Sequence, residues 1–502
     1  MMNKIFLVLL VLGLLTGCEK ELDQQPISDP TTETFYAIPN DFIQGANAIY
    51  AALREYPDRQ LNLSETRSDN LYAVSDGGVR DWEGINGFQR NLAANPYVAE
   101  AWLANYNGIN RANVLLEQLE KNGNIVTDEN LRGRLQGEAR FLRAFFYFDL
   151  LRWFGRVPLV DRVITASEAA AVPQSDIAAI YDFIIADLQA AIPLLPARSE
   201  YAGVDRGRAT NAAAQTLLAL VYMTRSGPNL GVNGTGLAGN DWQEAASLLD
   251  EVINSGEYQF LEGNNAYASI FSYDNEENEE VVFDVQYLTG QNPVAGATFP
   301  WLLAPDTWFN TNGHPNQGGL TIRPVSNDLL NSYEPEDIRK SFSIQTGYVF
   351  NGAAEHRSFF KKYIDLSRVP NNRVDWPINF IVWRFTDVLM LRAECTLHGA
   401  SGSQQEVDQV VNRVRARAGL APTSQVDLAG LMEERRKEFA AEGSRWHDLI
   451  RSGLVESVMT SWIENEDVQS RIDPFQLNYT LYPIPQAELD AKPGVYTQNG
   501  GY

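Results

Sequence analysis

Apolar residues recur at steps of three and four along most of this chain, the spacing that places them on one face of a helix. The strongest instance is residues 137–160, GEARFLRAFFYFDLLRWFGRVPLV. With the residues just before it, Leu131, Leu135, Leu142, Phe146, Leu150 and Trp153 form one stripe, and Phe141, Phe145 and Phe148 a second. A helix with two apolar faces needs neighbours on both, so this one is expected at the centre of a helical domain, with Glu138, Arg140, Arg143, Asp149 and Arg152 in the remaining sectors. Gly155 ends it and Pro158 blocks continuation.

Amphipathic helices are also expected over 41–55, 97–119, 176–195, 207–226 and 241–255, then over 383–398, 406–418 and 428–441. Helix pairs rich in Trp, Ala and Leu, near 34 residues per pair, point to tetratricopeptide-like units, and 207–255 is the cleanest. Two stretches break the pattern. Residues 62–89 are rich in Asp, Asn, Gly and Arg and read as loop. Residues 257–382 hold one expected strand, 280–287 (EVVFDVQY), and a long Gly, Pro, Asn and aromatic run over 290–320. Such a run inside a compact domain is usually functional.

The first residues change the picture. Lys4 precedes the apolar run 5–15, too short to span a bilayer, and Leu15-Thr16-Gly17-Cys18 follows. This resembles a bacterial lipoprotein signal, which implies cleavage before Cys18 and acylation, as with palmitate, of that cysteine. Several acyl chains anchor a protein stably where one would not. The acidic run after Cys18 resembles the export signal for the outer face of the outer membrane, and 24–34 reads as a tether.

Further residues then carry a family resemblance. FTDVLMLRAECTLHG, VNRVRARAG, ERRKEFAAEGSRWHDLIRSG and LYPIPQAELDAKPGVYTQNGGY follow in order after EARFLRAFFYFDLLRWFGRVPLV and GRATNAAAQTLLALVYM. Together they resemble the SusD/RagB family, the surface glycan-binding lipoproteins of Bacteroidetes-type bacteria. His447 departs from the aromatic residue more usual there, which bears on packing. The resemblance implies a mostly α fold, a tetratricopeptide-like helix-pair scaffold with a large irregular region that carries the ligand site. The expected organisation is a signal peptide over 1–17, acylated Cys18 and tether over 18–34, and one SusD-like domain over 35–502. Its helical repeats fall mainly in 35–256 and 383–455, with the irregular insertion at 257–382. The implied role is capture of an oligo- or polysaccharide at the cell surface for a SusC-like TonB-dependent transporter. A surface glycoside hydrolase and a RagB-like peptide binder are the alternatives.

Composition narrows the ligand. Among 502 residues the formal charge is −24, which argues against nucleic acid and leans toward a neutral glycan, such as a β-glucan, over alginate or pectin. The two cysteines, Cys18 and Cys395, exclude a disulfide framework and a cysteine zinc site. The four histidines are scattered, and no nucleophile elbow or P-loop occurs. Residues 234–239 spell GxGxxG but follow a helix and a polar turn, so they read as a flexible connection. Asp274, Glu276, Asn278 and Glu280 lack the glycine of a calcium loop and read as a solvated acidic turn. Arg435, Arg436 and Lys437 lie beside Glu433, Glu434 and Glu438, as expected of intrahelical ion pairs. No cofactor, metal or catalytic group is expected.

The candidate ligand residues are aromatic. Trp82, Trp301, Trp308 and Trp376 sit in polar loops, where an indole either serves a site or staples its loop to the core. Loops 67–84 and 299–319 combine Trp with Asp, Asn and Arg, so they are expected to converge on one face. Trp82, Trp301 and Trp308 would stack on sugar rings, and Asp69, Asn70, Arg80 and Asp81 would bond hydroxyls.

Overall fold

The computed structural model describes residues 35–74 and 80–502. Cys18 and its signal lie outside them. The chain is mostly helical. The helices that build the scaffold are α1 (Pro39–Ala51), α2 (Asp81–Asn86), α3 (Pro96–Asn122), α4 (Glu129–Phe154), α5 (Ile177–Ala191), α6 (Asn211–Ser226) and α7 (Trp242–Asn254). After the irregular insertion come α8 (Phe385–Leu397), α9 (Gln404–Arg417), α10 (Leu428–Glu438) and α11 (Arg445–Ser452). From α3 to α9 each helix packs on the next, so α7 meets α8 directly across the insertion. The insertion is closed at its base by an antiparallel pair, β1 (Val281–Val285) with β2 (Phe380–Arg384). Phe283 of β1 and Trp383 of β2 lie 6.1 and 5.8 Å from Phe145 of α4, ring centre to ring centre.

Helix α4 is the centre that its two stripes demand. Asn95 caps α3 and Asp128 caps α4, each accepting from backbone N–H groups of the first turn. Helix α3 approaches α4 at Gly108, where an added Cβ would stand 2.2 Å from Phe146 Cε2. Gly155, at φ +67°, turns the chain out of α4, and a side chain there would meet the Asn233 carbonyl at 2.6 Å. The expectation for the charges on α4 needs correction. Glu138, Arg143 and Asp149 are buried. Each meets partners from neighbouring segments: Arg143 with Asp187 of α5 at 2.7 Å, Asp149 with Asn105 of α3 at 2.9 Å, Glu138 with Arg208 at 3.4 Å. A charge leaves water at this cost only when paired.

The segment read as a loop over 62–89 is also corrected. It enters on a π-helical turn, Gln60–Glu65, and residues 61–71 are buried in the interior. Arg67 is fully buried, donating to the carbonyls of Ile85 and Tyr479 and to the Tyr502 hydroxyl. Its guanidinium lies 4.6 Å from the Phe88 ring centre and 4.7 Å from that of Tyr482. Arg435 and Arg436 also reach beyond their helix, to Asp387, Asp448, Asp69 and Asp328, while expected intrahelical pairs form as well, Arg436 with Glu433 and Lys437 with Glu434, each at 3.7 Å. Asn278 and Glu280 are buried, not solvated; Glu280 pairs with Arg417. His447 is in the core, 4.4 Å from Trp153, and burial pushes its pKa well below the ordinary value.

Cys395 on α8 is fully buried, and burial, with Glu394 beside it, pushes its thiol pKa up. Native protein should therefore react slowly with a thiol reagent and quickly once unfolded. Rapid labelling of native protein would show this assignment wrong.

Candidate functional site

Asn86 at the end of α2 organises the site. It is fully buried; its Oδ1 accepts from Ala73 N–H at 2.8 Å, and its Nδ2 donates to the carbonyls of Thr66 and Leu71 at 2.7 and 2.9 Å. One carboxamide thus ties α2 to the segment 66–73. That segment runs against the insertion, with Leu71 bridged to Val325 and Tyr72 N–H donating to the Pro324 carbonyl at 2.8 Å. Val325 N–H in turn donates to the Ser358 carbonyl at 2.9 Å. Three stretches distant in sequence are therefore laid side by side.

Between them opens a cleft of about 660 Å³, lined by Tyr72, Trp82, Asn327, Arg357, Glu466 and Arg471 among others. Tyr72 and Trp82 are half-buried, so each presents part of its ring. The Tyr72 hydroxyl donates to Asp467 at 2.7 Å, which fixes the ring. Trp82 has the Arg323 guanidinium over its ring, 4.5 Å from the centre. On the rim, the Glu466 carboxylate accepts from the backbone and side-chain N–H of Asn327 at 2.8 and 2.9 Å. Arg357 pairs with Glu355 at 2.7 Å. Two guanidiniums and two carboxylates (Glu83 and Glu466) line the cleft, so it carries little net charge. Aromatic rings flanked by directional polar groups are the chemistry that holds a sugar: the ring takes the apolar C–H face and the polar groups take hydroxyls.

A second cleft, of about 490 Å³, lies between the segment 198–210 and β1. Its aromatic residues, Tyr201, Tyr258 and Phe283, are each at most 7% exposed, so it offers no stacking platform.

The expected site residues separate sharply. Trp82 lines the first cleft, and Arg80 and Asp81 stand beside it at the start of α2. Trp301 is half-buried outside that lining; its indole N–H donates to the Gly318 carbonyl at 2.8 Å and Arg373 lies over its ring. Trp308 is 6% exposed and packs on Phe309 and Phe359, a core staple and not a platform. Trp376 is fully buried. Asp69 and Asn70 are buried and saturated, which removes them from hydroxyl recognition. Asp69 takes two bonds of 2.8 Å from Arg445, and Asn70 bonds Glu65 and Arg436. Burial would raise the Asp69 pKa, but Arg436 and Arg445 hold it down at about 2. The expected convergence of 67–84 with 299–319 does not form the cleft. Residues 299–319 close on themselves, Asp306 N–H donating to the Gly319 carbonyl and Gly319 N–H to that of Ala304. The second wall comes from 322–325 and 356–358. Tyr72 lay within a segment the sequence singles out, whereas Asn327, Arg357, Glu466 and Arg471 carry no local signal.

Two family models match the chain. One, described as the SusD family, covers residues 351–502, and the other, "Starch-binding associating with outer membrane", covers 22–223. The chain belongs to the SusD/RagB family. A relative, the "SusD-like protein P2" of Formosa agariphila, is 27% identical over 99% of both chains. Among solved structures, a "Laminarin binding SusD-like protein" is 26% identical with a TM-score of 0.75, covering 93% of this SusD-like chain and 100% of its own. The surface glycan-binding protein A of Bacteroides thetaiotaomicron, in complex with laminarihexaose, has a TM-score of 0.77 at 23% identity, covering 92% of this chain and 99% of its own. These neighbours share the mostly α, SusD-like fold.

Proposed function

We propose that this SusD-like protein binds a neutral oligo- or polysaccharide of the β-glucan class in the Tyr72–Trp82 cleft. The observation that carries the reading is that cleft: two held, half-buried rings between polar side chains of balanced charge. The laminarin-binding neighbour and the laminarihexaose complex of another support the choice of glucan. The test is calorimetric titration with laminarihexaose beside a glycan array, with an assay for new reducing ends. Binding without new ends is expected. No binding to any neutral glycan would sink the reading, and new ends would turn it toward a surface hydrolase.

Delivery to a SusC-like TonB-dependent transporter and residence on the outer-membrane surface complete the proposal. They are supported by the family resemblance and by the lipoprotein-like start of the chain. Cys18→Ser should release the protein from the membrane fraction of cells lacking the transporter; unchanged partition would refute the lipid anchor.

A further inference from the structure

Ile322 and Pro324 line the cleft, while Arg323 between them turns the opposite way and is only 8% exposed. Its Nη1 donates to Asn62 Oδ1 at 2.7 Å and reaches Thr66 Oγ1 at 3.3 Å. Asn62 lies on the buried π-helical turn Gln60–Glu65, and Thr66 begins the segment that Asn86 ties to α2. Among the described residues no carboxylate stands at ion-pair distance from Arg323; the Tyr97 hydroxyl and Asp58 face it, and its guanidinium lies 4.5 Å from the centre of the Trp82 ring. A planar guanidinium stacks on an indole face, and the attraction grows as the pair is shielded from water. One face of Trp82 is therefore occupied from within.

Resting on the glycan reading above, we infer that Arg323 is the positioning residue of the site: it backs the inner face of Trp82, sets the plane of the indole and leaves one face for a sugar ring. Asn62 and Thr66 hold the guanidinium, the guanidinium holds the ring, and the ring meets the ligand with its orientation already set. A platform ordered before binding loses less side-chain freedom on binding, which raises affinity with no added ligand contact. Arg323 touches no ligand in this arrangement, so its effect on binding passes through Trp82.

The test uses Arg323→Met, which keeps bulk without charge, and Arg323→Lys, which keeps charge without the planar fork. Each is made with Trp82 and with Trp82→Phe, so that difference fluorescence isolates Trp82 among the ten tryptophans. Laminarihexaose is the probe ligand. Arg323→Met should shift Trp82 emission and weaken binding about tenfold, between the scale of an exposed cation–π contact and that of a shielded one, with Arg323→Lys in between. If Arg323→Met does not fold, the lysine variant decides by the same two readouts. Unchanged Trp82 emission, or affinity within twofold of the unaltered protein, overturns the positioning role while leaving the glycan site standing. Failure of the unaltered protein to bind overturns the glycan reading and this role with it.

Discussion

Trp82→Ala should lower affinity for a glucan oligosaccharide by about thirtyfold or more, the loss of roughly 2 kcal/mol expected of a central aromatic anchor. The melting temperature should fall less than for a core ring, because the ring is only half-buried and packs on Arg323 with one face. Trp308→Ala is the control with the opposite signature. That ring is 6% exposed against Phe309 and Phe359, so truncation should cost about 3–5 kcal/mol of stability and leave binding by the folded fraction unchanged. Calorimetric affinity and a thermal melt on each variant decide the matter. If Trp82→Ala binds normally, the cleft is not the site.

Glu438→Gln should destabilise the fold by about 3–5 kcal/mol, the scale of breaking a buried charge network from one side. Glu438 is fully buried at the end of α10. Its carboxylate accepts from Arg384 of β2 and Arg417 of α9, each at 2.7 Å, and from Arg339 at 3.1 Å. It therefore joins the scaffold to the insertion that carries one wall of the cleft. Neutralising it leaves three buried guanidiniums short of one negative charge. The pH dependence follows. Burial alone would raise the Glu438 pKa, but Arg417, Arg384 and Arg339 together hold it far below the ordinary carboxylate range. A carboxyl depressed in the folded state contributes stability that is fully present above its unfolded pKa of about 4 and is lost as pH falls toward the folded value. Asp69, held at about 2, adds to the same acid-side loss. Melts from pH 7 down to pH 2 should show a steep fall between about pH 4 and 2, and a shallower one in Glu438→Gln. A variant that melts within a degree or two of the unaltered protein at pH 7, with the same acid slope, would contradict this account.

Trp82 and Arg323 stand at opposite ends of what local pattern reveals. Trp82 was legible because an indole between glycines and charges is conspicuous in any window of sequence. Arg323 was not, since Ile-Arg-Pro gives no sign that its arginine turns inward to face a ring some 240 positions earlier. Trp308 looked like Trp82 in the sequence, and only packing against Phe359 separates them. Asp69 and Asn70 looked like surface recognition groups because they are small and polar; they are interior because Arg436 and Arg445 come to meet them.

The helical scaffold, the central place of α4, its termination at Gly155 and the buried state of Cys395 are legible in the residues alone. Each of these rests on short-range physics, a period of 3.6 residues or the conformation of one glycine, and is written in contiguous residues. Which polar residues lie inside, and which walls make the cleft, depend on packing between distant segments. A buried charge is tolerated when its partner arrives, and those partners lie on helices and loops far away along the chain. The same holds for the site: Asn86 ties 66–73 to α2, and the insertion then supplies Pro324 and Ser358 as neighbours. Such long-range pairings have no local period, so they emerge only once the helices have packed.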